Sequence, residues 1–372
     1  MTFLHPKKLL LVISSLGPGG AERVICELAN IWAAKGVRVG LLTLTTSKED
    51  HYSLAPKVER IELNVIKESR TLWQALVNNA HRCWKIRRAV QKFSPDVVLS
   101  FIEQNNVRVL AALIGTGVPV VVSERTDPRY HDAGRAFAMA RRWLYPLARR
   151  VVVQSENVRQ NWACGFVSSE KIAVIPNFVR DDMPEGLPDT QRDLCHILAV
   201  GRLSKEKGFD VLLKAFALSG LTERGACLVI LGDGPERASL EELARSLNIS
   251  QAVSMPGVVQ DPESWMARCA LFVMTSRYEG FPNVLLEAMS LRCAVITADC
   301  DSGPREMIQH GHNGLLVPVG AEEATALAMK RLFDDAALRA GLGAAAVEVR
   351  ERFSREKIMR QWEGFILGAI ED

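Results

Sequence analysis

The sequence of 372 residues lacks several features that would assign its class at once. None of its eight cysteines forms a C-x-x-C pair, and scattered cysteines in a chain of this size are typical of small core residues in a reducing compartment. No block of like charges indicates a disordered tail, and the net charge of +3 is too small to indicate a nucleic-acid partner. We therefore expect a globular protein that binds no nucleic acid.

The amino-terminal end lacks both a membrane span and a recognisable leader. The longest early apolar run, residues 9–13, is far shorter than the stretch of about 20 residues that crosses a bilayer. Lys7 and Lys8 precede it as in a signal peptide, but Gly-Pro-Gly-Gly at 17–20 follows without a small-residue cleavage pattern. We interpret the run as a buried first strand and expect a cytoplasmic protein.

What the sequence does contain is an alternation of short β-branched runs with helical stretches, which is typical of βαβ units. Runs such as 120–122 and 151–153 are valine throughout, as in parallel sheets covered on both faces. Segment 181–189 is rich in acids, Pro and Gly and is interpreted as a linker. We therefore predict two doubly wound domains, at 1–183 and 184–353. The predicted strands are 8–14, 37–44, 96–101, 118–123, 150–154, 195–200, 226–231, 270–275 and 293–298.

Loops that follow these strands should carry the chemistry, because ligands of such sheets bind at the carboxyl ends of strands. The first strand leads into a turn with Gly19 and Gly20, where backbone can approach a ligand closely. Its spacing is not G-x-G-x-x-G, since position 22 is Glu, so a dinucleotide site is not predicted. A tight turn with a helix cap is the alternative.

Two loops of the second predicted domain carry further candidates. Arg202 and Lys207 follow strand 195–200, and two cations there are able to neutralise a diphosphate. A solvated basic turn is the alternative. Gly234 lies in the loop after strand 226–231, which either shapes a base or phosphate pocket or is a simple turn.

The most informative stretch runs from Glu279 to Glu287, with a Gly-Phe-Pro-Asn turn between the two acids. A helix is predicted over 284–289, with Pro282 near its first turn. Free amides at the start of a helix suit a phosphate, whereas carboxylates suit sugar hydroxyls, which need acceptors. One site with both features fits a nucleotide sugar. The alternative is a capped surface helix with two solvated acids.

Together and in this order, these loops resemble the retaining glycosyltransferases of family 4, which have the two-domain GT-B fold. The matching segments span nearly the whole chain and are 19–23, 174–177, 201–203, 207–208, 232–235 and 279–287. The resemblance implies an α/β protein with two Rossmann-like doubly wound domains that face a central cleft. The first domain would bind the acceptor and the second the nucleotide sugar, while 354–372 would form a last helix that crosses back to the first domain.

The resemblance also implies roles for individual residues. Arg202 and Lys207 would bind the donor diphosphate and stabilise the leaving nucleotide. Glu279 would contact the donor sugar, and Glu287 would accept hydrogen bonds from the ribose. The residues whose backbone amides would face the sugar and phosphates are Gly280, Phe281, Pro282, Asn283 and Val284.

The first domain departs from the family at one place. Many members have a histidine after the strand that matches 118–123, near the reacting sugar, where this chain has Glu124 and Arg125. Arg125 would stabilise the leaving phosphate, and Glu124 would orient the acceptor or pair with Arg125. We predict Glu124 as a site residue. In the same domain, Gly19 and Gly20 would let the loop after the first strand close on the phosphates.

No metal ion or other cofactor is expected. Asp299 and Asp301 have the D-x-D form with which some sugar transferases hold a metal, but so short a motif matches easily by chance. Arg202 and Lys207 would already supply positive charge for the leaving diphosphate. His310 and His312 have no cysteine or acid cluster beside them at metal-ligand spacing.

The resemblance implies transfer, with retention of configuration, of a hexose or N-acetylhexosamine from a nucleotide diphosphate sugar, and it makes a UDP-sugar the expected donor. The expected partner is a glycan acceptor, including one linked to polyprenyl diphosphate, in bacterial surface polysaccharide assembly. Two alternatives remain. One is a non-catalytic nucleotide-sugar-binding subunit with the GT-B fold. The other is an NAD-dependent Rossmann oxidoreductase, for which the glycine spacing is wrong.

Basic residues lie near aromatic ones in the first predicted domain, at 81–92 with Trp73 and again at 141–150. Such helices suit an anionic membrane surface, and they also suit a polyprenyl diphosphate acceptor. The alternative is a solvated helix face whose tryptophans pack into the core. The first interpretation predicts an enzyme that lies peripherally on the inner face of the cell membrane.

Overall fold

Runs of valine, leucine and isoleucine pair side by side as parallel strands in two separate sheets. A computed structural model describes residues 6–66, 71–130 and 134–371. The first sheet consists of β1 (Lys8–Ile13), β2 (Arg38–Thr43), β3 (Glu59–Glu62), β4 (Val97–Phe101), β5 (Val120–Ser123), β6 (Arg150–Val153) and β7 (Ile172–Val174). The second consists of β8 (Asp193–Val200), β9 (Cys227–Leu231), β10 (Val253–Gly257), β11 (Cys269–Met274), β12 (Ala294–Ala298) and β13 (Leu315–Val317).

Helices follow most of the strands, because a parallel connection needs a crossover segment. Those beside the first sheet are α1 (Gly20–Ala34), α2 (Leu72–Phe93), α3 (Glu103–Leu113), α4 (Arg135–Leu144) and α5 (Glu156–Asn161). Those after them are α6 (Phe209–Ser219), α7 (Arg237–Ser246), α8 (Pro262–Arg268), α9 (Asn283–Ser290), α10 (Pro304–Met307), α11 (Glu322–Asp334), α12 (Ala336–Ala346), α13 (Val349–Arg352) and α14 (Arg355–Glu371). In α1, Val24, Ile25, Leu28 and Trp32 recur on one face and are buried, as an amphipathic helix requires.

Both sheets are doubly wound. Their strand orders are β3-β2-β1-β4-β5-β6-β7 and β10-β9-β8-β11-β12-β13. Each order reverses once, between β1 and β4 and between β8 and β11, and such switch points leave a crevice at the carboxyl ends of the strands. The predicted α/β fold with two Rossmann-like sheets is confirmed.

The predicted strands are the central ones of each sheet. Residues 9–13 of β1 are fully buried, because helices cover both faces of a parallel sheet. The four strands that the sequence analysis missed, β3, β7, β10 and β13, are the edge strands. β3 reads Glu-Arg-Ile-Glu and is partly exposed, so it lacks the continuous apolar run by which the others were found.

The chain divides into two compact units. The first comprises Met1–Pro176 with Ile358–Asp372, and the second comprises Asn177–Lys357. The division lies before the predicted boundary of 183/184, because segment 181–189 packs on the second unit. Met183 is buried in that unit's core, and Asp189 accepts two hydrogen bonds of 2.9 Å from Arg339.

The last helix, α14, belongs to the first unit from Ile358 onward. Its Trp362 is buried and stacks on Phe101 of β4, with ring centroids 6.1 Å apart. Its Glu363 accepts a 2.5 Å hydrogen bond from Lys35 at the end of α1. These contacts explain why the end of the chain completes the first unit.

No helix within the described part of the chain combines the length and the apolarity that crossing a bilayer requires.

Candidate functional site

The switch point of the second sheet brings two of the predicted loops together. β8 and β11 are hydrogen-bonded neighbours, so the loops after them leave the same edge of the sheet. The first loop carries Arg202 and Lys207, and the second carries Glu279. Lys207 and Glu279 are 72 residues apart in sequence, and the topology makes them neighbours in space.

Backbone contacts hold these two loops against each other. The 3-10 turn Lys205–Lys207 ends at Gly208, whose φ of 64° is left-handed. The Thr275 hydroxyl donates to the Gly208 carbonyl at 2.9 Å, and the Arg277 amide donates to the Glu206 carbonyl at 2.7 Å. A Cβ on Gly208 would lie 2.2 Å from the Thr275 carbonyl oxygen. Only glycine meets both the conformational and the steric requirement here.

Lys207 and Glu279 form an ion pair where the loops meet. Lys207 Nζ lies 2.7 Å from Glu279 Oε1, and the Ser276 hydroxyl donates to the same oxygen at 2.6 Å. Burial lowers the pKa of Lys207, but the Glu279 carboxylate offsets this, so the pKa is raised above its ordinary value. Lys207 is therefore a fixed cation. Glu279 Oε2 makes no hydrogen bond to another described residue and can accept one from a ligand hydroxyl.

The start of α9 lies directly after this pair in the chain. Pro282 is its N-cap, and no side chain caps the helix. The Pro282 carbonyl accepts the amides of Leu285 and Leu286 at 3.1 and 3.2 Å, so the amides of Asn283 and Val284 precede the first intrahelical hydrogen bond. This end of the helix attracts anions.

Two predicted donor-binding residues of this stretch have structural roles. Pro282 has no amide hydrogen, so it sets the turn and donates nothing, which corrects the predicted run of amides. The Phe281 ring is buried against Phe353, with centroids 5.5 Å apart. Gly280 is buried as well. A ligand can therefore contact only the backbone atoms of Gly280 and Phe281.

Glu287 and Arg202 differ sharply in exposure. Glu287 is only 4% exposed, although its neighbours on α9, Leu286 and Ala288, belong to an apolar core cluster. A buried carboxylate is costly unless it is paired or used, and such groups are typical of functional sites. The Arg202 side chain is exposed and has no ion-pair partner in the ranges that the structure describes.

The loop after β9 depends on its glycines for packing. A Cβ on Gly232 would lie 2.0 Å from the Gly201 carbonyl oxygen, and one on Gly234 would lie 2.4 Å from that of Leu203. Gly234 therefore lets this loop lie against the loop that carries Arg202. Its contact with a ligand stays a prediction.

Two serines that were not predicted from the sequence hold Glu279. Ser276 binds the Glu279 carboxylate, and the Ser302 hydroxyl donates to the Glu279 backbone carbonyl. Ser276 could have been found as a small polar residue between the end of an apolar strand and the acid. Ser302 could not, because it follows a different strand, β12.

Asp299 of the D-x-D sequence is held by Arg305 through hydrogen bonds of 2.5 and 2.6 Å. Within the described residues, no group of three or more His, Cys, Asp or Glu side chains is arranged to hold a metal ion.

In the first unit, Gly19 and Gly20 begin α1 at the carboxyl end of β1. Gly19 is the N-cap and Gly20 is the first helical residue. A Cβ on Gly19 would lie 2.1 Å from the Glu22 carboxylate, and burial raises the pKa of Glu22. The two glycines thus lie beside the β1–β4 switch point, and their phosphate contact stays a prediction.

Glu124 lies at the carboxyl end of β5 and is 1% exposed. The Tyr145 hydroxyl donates to one of its oxygens, and the other has no hydrogen-bond partner in the described structure. Burial raises the pKa of Glu124 to about 7, against the lowering effect of the Tyr145 hydrogen bond and with a further increase from Glu103. Arg125 is buried as well, with its guanidinium 4.5 Å from the Phe101 ring centroid, and burial lowers the pKa of Arg125 to about 9.

Glu124 lies in a buried polar cluster that was not predicted from the sequence. Arg141 pairs with Glu103 at 2.8 Å, and the Asn106 amide donates to Tyr145 at 3.0 Å. Arg141 had been predicted within a basic surface segment, and that prediction is wrong because its side chain is buried in this cluster. Ile102, before α3, has a φ of 74°, a strained conformation for a β-branched residue and typical of functional sites.

Three tryptophans of the first unit are exposed. Trp73 and Trp143 are 74% and 75% exposed and Trp84 is 48% exposed. Lys85 and Arg88 lie 5.7 and 5.1 Å from the Trp84 ring centroid. The alternative in which these tryptophans pack into the core is therefore wrong.

Two family models match the chain. The model described as Glycosyltransferase Family 4 matches residues 18–183, and the model described as Glycosyl transferases group 1 matches residues 188–349. Together they cover most of both units.

Curated relatives and solved structures agree with these matches. A Campylobacter jejuni N-acetylgalactosamine-N,N'-diacetylbacillosaminyl-diphospho-undecaprenol 4-alpha-N-acetylgalactosaminyltransferase is 29% identical, over 97% of this chain and 100% of its own. The amylovoran biosynthesis glycosyltransferase AmsD of Erwinia amylovora is 26% identical over 96% and 99%. A sucrose-phosphate synthase from Thermosynechococcus elongatus has a TM-score of 0.84 at 20% identity, over 97% and 98%. Anabaena HepE in complex with UDP and glucose has a TM-score of 0.80 at 20% identity, over 97% and 99%.

Proposed function

We propose that this chain, which belongs to glycosyltransferase family 4 and has the GT-B fold, transfers a hexose or N-acetylhexosamine from a UDP-sugar with retention of configuration. The observation that carries the proposal is the Lys207–Glu279 pair at the β8–β11 switch point, 2.7 Å apart. In a nucleotide sugar, the cation would bind the diphosphate and the adjacent carboxylate would bind a sugar hydroxyl. The match to glycosyltransferase models over both units argues against the NAD-dependent oxidoreductase.

Lys207 and Arg202 stabilise the departing diphosphate. Lys207 is held in place by Glu279 and keeps its charge because its pKa is raised. Arg202 is exposed on the same loop and can close on a phosphate with two parallel hydrogen bonds. Preorganised donors of this kind stabilise the charge that develops as the bond to the leaving group breaks. Because both charges come from side chains, the proposal includes no metal ion, and transfer should persist in EDTA.

The carboxylates bind hydroxyls of the donor. Glu279 Oε1 is occupied by Lys207 and Ser276, so its Oε2 accepts from a sugar hydroxyl. Glu287 is buried on α9, and we assign it to the ribose. The amides at the start of α9 and the glycines Gly19 and Gly20 face phosphate groups in this proposal.

We assign the acceptor to the lipid-linked glycans. The Campylobacter jejuni relative has a diphospho-undecaprenol glycan in its name, and a second relative from the same organism acts on a PP-undecaprenol glycan by its name at 27% identity. The exposed tryptophans beside basic residues in the first unit support an enzyme that lies on a membrane surface. We place that surface at the inner face of the cell membrane. Glu124 would orient the acceptor hydroxyl.

A matched pair of variants tests the donor site. Lys207→Ala should lower kcat about 100-fold, the usual loss when one preorganised donor to a developing anion is removed. Lys214→Ala breaks another lysine–glutamate pair of the same unit, Lys214–Glu322 at 2.8 Å, and should leave kcat unchanged. Transfer of radiolabelled sugar to a polyprenyl-diphosphate glycan is the measurement. Equal activity of the two variants would remove the donor-site assignment, and a wild-type protein without any turnover would favour a non-catalytic subunit.

Two further measurements define the substrates. A thermal-shift screen of UDP-, GDP- and ADP-sugars should show stabilisation by a UDP-sugar, because a ligand that binds only the folded state raises Tm. NMR of the product should show the anomeric configuration of the donor. Stabilisation by a GDP- or ADP-sugar alone, or an inverted product, would contradict the corresponding part of the proposal.

A further inference from the structure

A cavity of about 670 Å³ lies in the first unit at the amino ends of β5 and β6. Its wall includes residues 117–120, which lead into β5, and the end of α3. Glu124 is at the opposite, carboxyl end of β5, and a strand of four residues separates the two ends by roughly 13 Å. The cavity is therefore separate from the sheet edge at which the reaction is proposed, and it needs its own explanation.

The charged residues of the cavity are mostly cationic. Arg149, Arg150 and Lys171 line it, with Glu170 as the one acid among its lining residues. Lys171 Nζ is fixed by the backbone carbonyls of residues 146 and 148, at 3.0 and 3.3 Å. Arg149 is half-buried and has no ion-pair partner in the described ranges. The cavity thus favours an anion, with Arg149 as its available cation.

The rim of the cavity is apolar and exposed. Ile114 and Leu147 line it and are 54% and 60% exposed. Exposed Trp143 precedes Leu147 by one helical turn. Arg87 of α2 donates to the Ile114 carbonyl at 3.0 Å, which places the helix that carries Trp84 beside this rim. A cationic pocket with an apolar border therefore continues into the surface that bears the exposed tryptophans.

We propose that this cavity binds the headgroup of an anionic phospholipid. The phosphodiester would pair with the Arg149 guanidinium, and the first methylenes of the acyl chains would lie on Ile114 and Leu147. A volume of about 670 Å³ suits a ligand of this size, and basic pockets beside an apolar surface are suited to lipid headgroups. The inference rests on the membrane contact in the proposed function and adds a defined lipid site to it.

A titration with water-soluble lipids tests the site. Dioctanoyl phosphatidylglycerol, kept below its critical micelle concentration, should bind the wild-type protein by calorimetry, whereas dioctanoyl phosphatidylcholine and inorganic phosphate should bind at least about tenfold more weakly. Arg149→Gln should weaken phosphatidylglycerol binding by about tenfold, since about 1.4 kcal/mol corresponds to a factor of ten. Arg142→Gln removes an equal charge from an exposed position outside the cavity and should bind like the wild type.

A second variant tests the role of the apolar rim. Leu147→Ser changes an exposed side chain, so it should fold normally and weaken phosphatidylglycerol binding. The proposal is overturned if phosphatidylglycerol does not bind, if Arg142→Gln weakens binding as much as Arg149→Gln, or if inorganic phosphate binds equally well. Sugar transfer by the wild-type protein to a polyprenyl-diphosphate glycan in neutral detergent, without anionic phospholipid, is measured separately. Absence of sugar transfer would refute the proposed function, whereas the phosphatidylglycerol titration tests only whether the cavity binds an anionic lipid.

Discussion

Substituting Gly208 should damage the donor site through the backbone alone. A Cβ at this position would lie 2.2 Å from the Thr275 carbonyl oxygen, and opening that contact to an ordinary separation moves one loop by about 1 Å. The loop that moves carries Lys207, and its partner carries Glu279. Because a misplacement of about 1 Å can cost about 100-fold in rate, Gly208→Ala should lower kcat by that order.

The cost in stability has two parts, and a matched control separates them. Alanine in the left-handed region costs about 1–2 kcal/mol, and the overlap adds about 1–3 kcal/mol, which makes about 2–5 kcal/mol in total. Gly220 has nearly the same φ, 65° against 64°, and a Cβ there meets no atom within 4 Å. Gly220→Ala should therefore cost about 1–2 kcal/mol and leave kcat unchanged.

Urea denaturation gives the two unfolding free energies, and the transfer assay gives kcat. The reasoning is refuted if the two alanine variants have equal stability, or if Gly208→Ala retains full activity. Either result would mean that the two loops are not held at the separation that the structure shows.

Two further predictions concern buried groups of the first unit. Burial raises the pKa of the Glu124 carboxyl from 4.5 to about 7 in the folded protein, so the folded state binds this proton more tightly than the unfolded state. This difference contributes about 3 kcal/mol to the free energy of unfolding below pH 4.5, and the contribution should be lost as the pH rises to about 7. Glu124→Gln should abolish that part of the pH dependence in denaturation between pH 4 and 8; an unchanged slope would mean that another group is responsible. Trp362→Ala should destabilise the protein by about 3–5 kcal/mol, because its ring is buried on Phe101. The exposed Leu327→Ala should stay within about 0.5 kcal/mol, and similar melting of both variants would show that α14 is not anchored by this ring.

The sequence predicted the centre of each sheet but not its edges. Central strands such as β6, with its run of valines, are buried on both faces, and this leaves a signal in the composition. β3, with two glutamates in four residues, pairs on one side only and needs no such run. β3 and β10 are partly exposed, and β7 and β13 are only three residues long, so none of the four leaves a long apolar run in the sequence.

The candidate donor residues could be predicted from the sequence, whereas the contacts that hold them could not. Lys207 and Glu279 stood out as charges on loops after apolar strands, and their 2.7 Å approach follows from the β8–β11 pairing. Ser302 holds Glu279 from a third loop, so no spacing in the sequence links them. The strained φ of Ile102 has no compositional signal at all.

Contacts from distant parts of the chain also explain why only part of the basic and aromatic segment at 141–150 is exposed. Trp143 is exposed and Arg141 is buried, because residues two positions apart point to nearly opposite faces of a helix. Arg141 turns inward because Glu103 at the start of α3 offers it a partner. A helical face can be predicted from periodicity, but the neighbour that selects the inward residue lies elsewhere in the chain.

A crystal structure of the protein with a bound UDP-sugar tests the central claim most directly. The account predicts that the diphosphate contacts Lys207 and Arg202, that a sugar hydroxyl donates to Glu279, and that the ribose lies at Glu287. A nucleotide sugar bound away from the β8–β11 switch point, with the Lys207–Glu279 pair untouched, would contradict it.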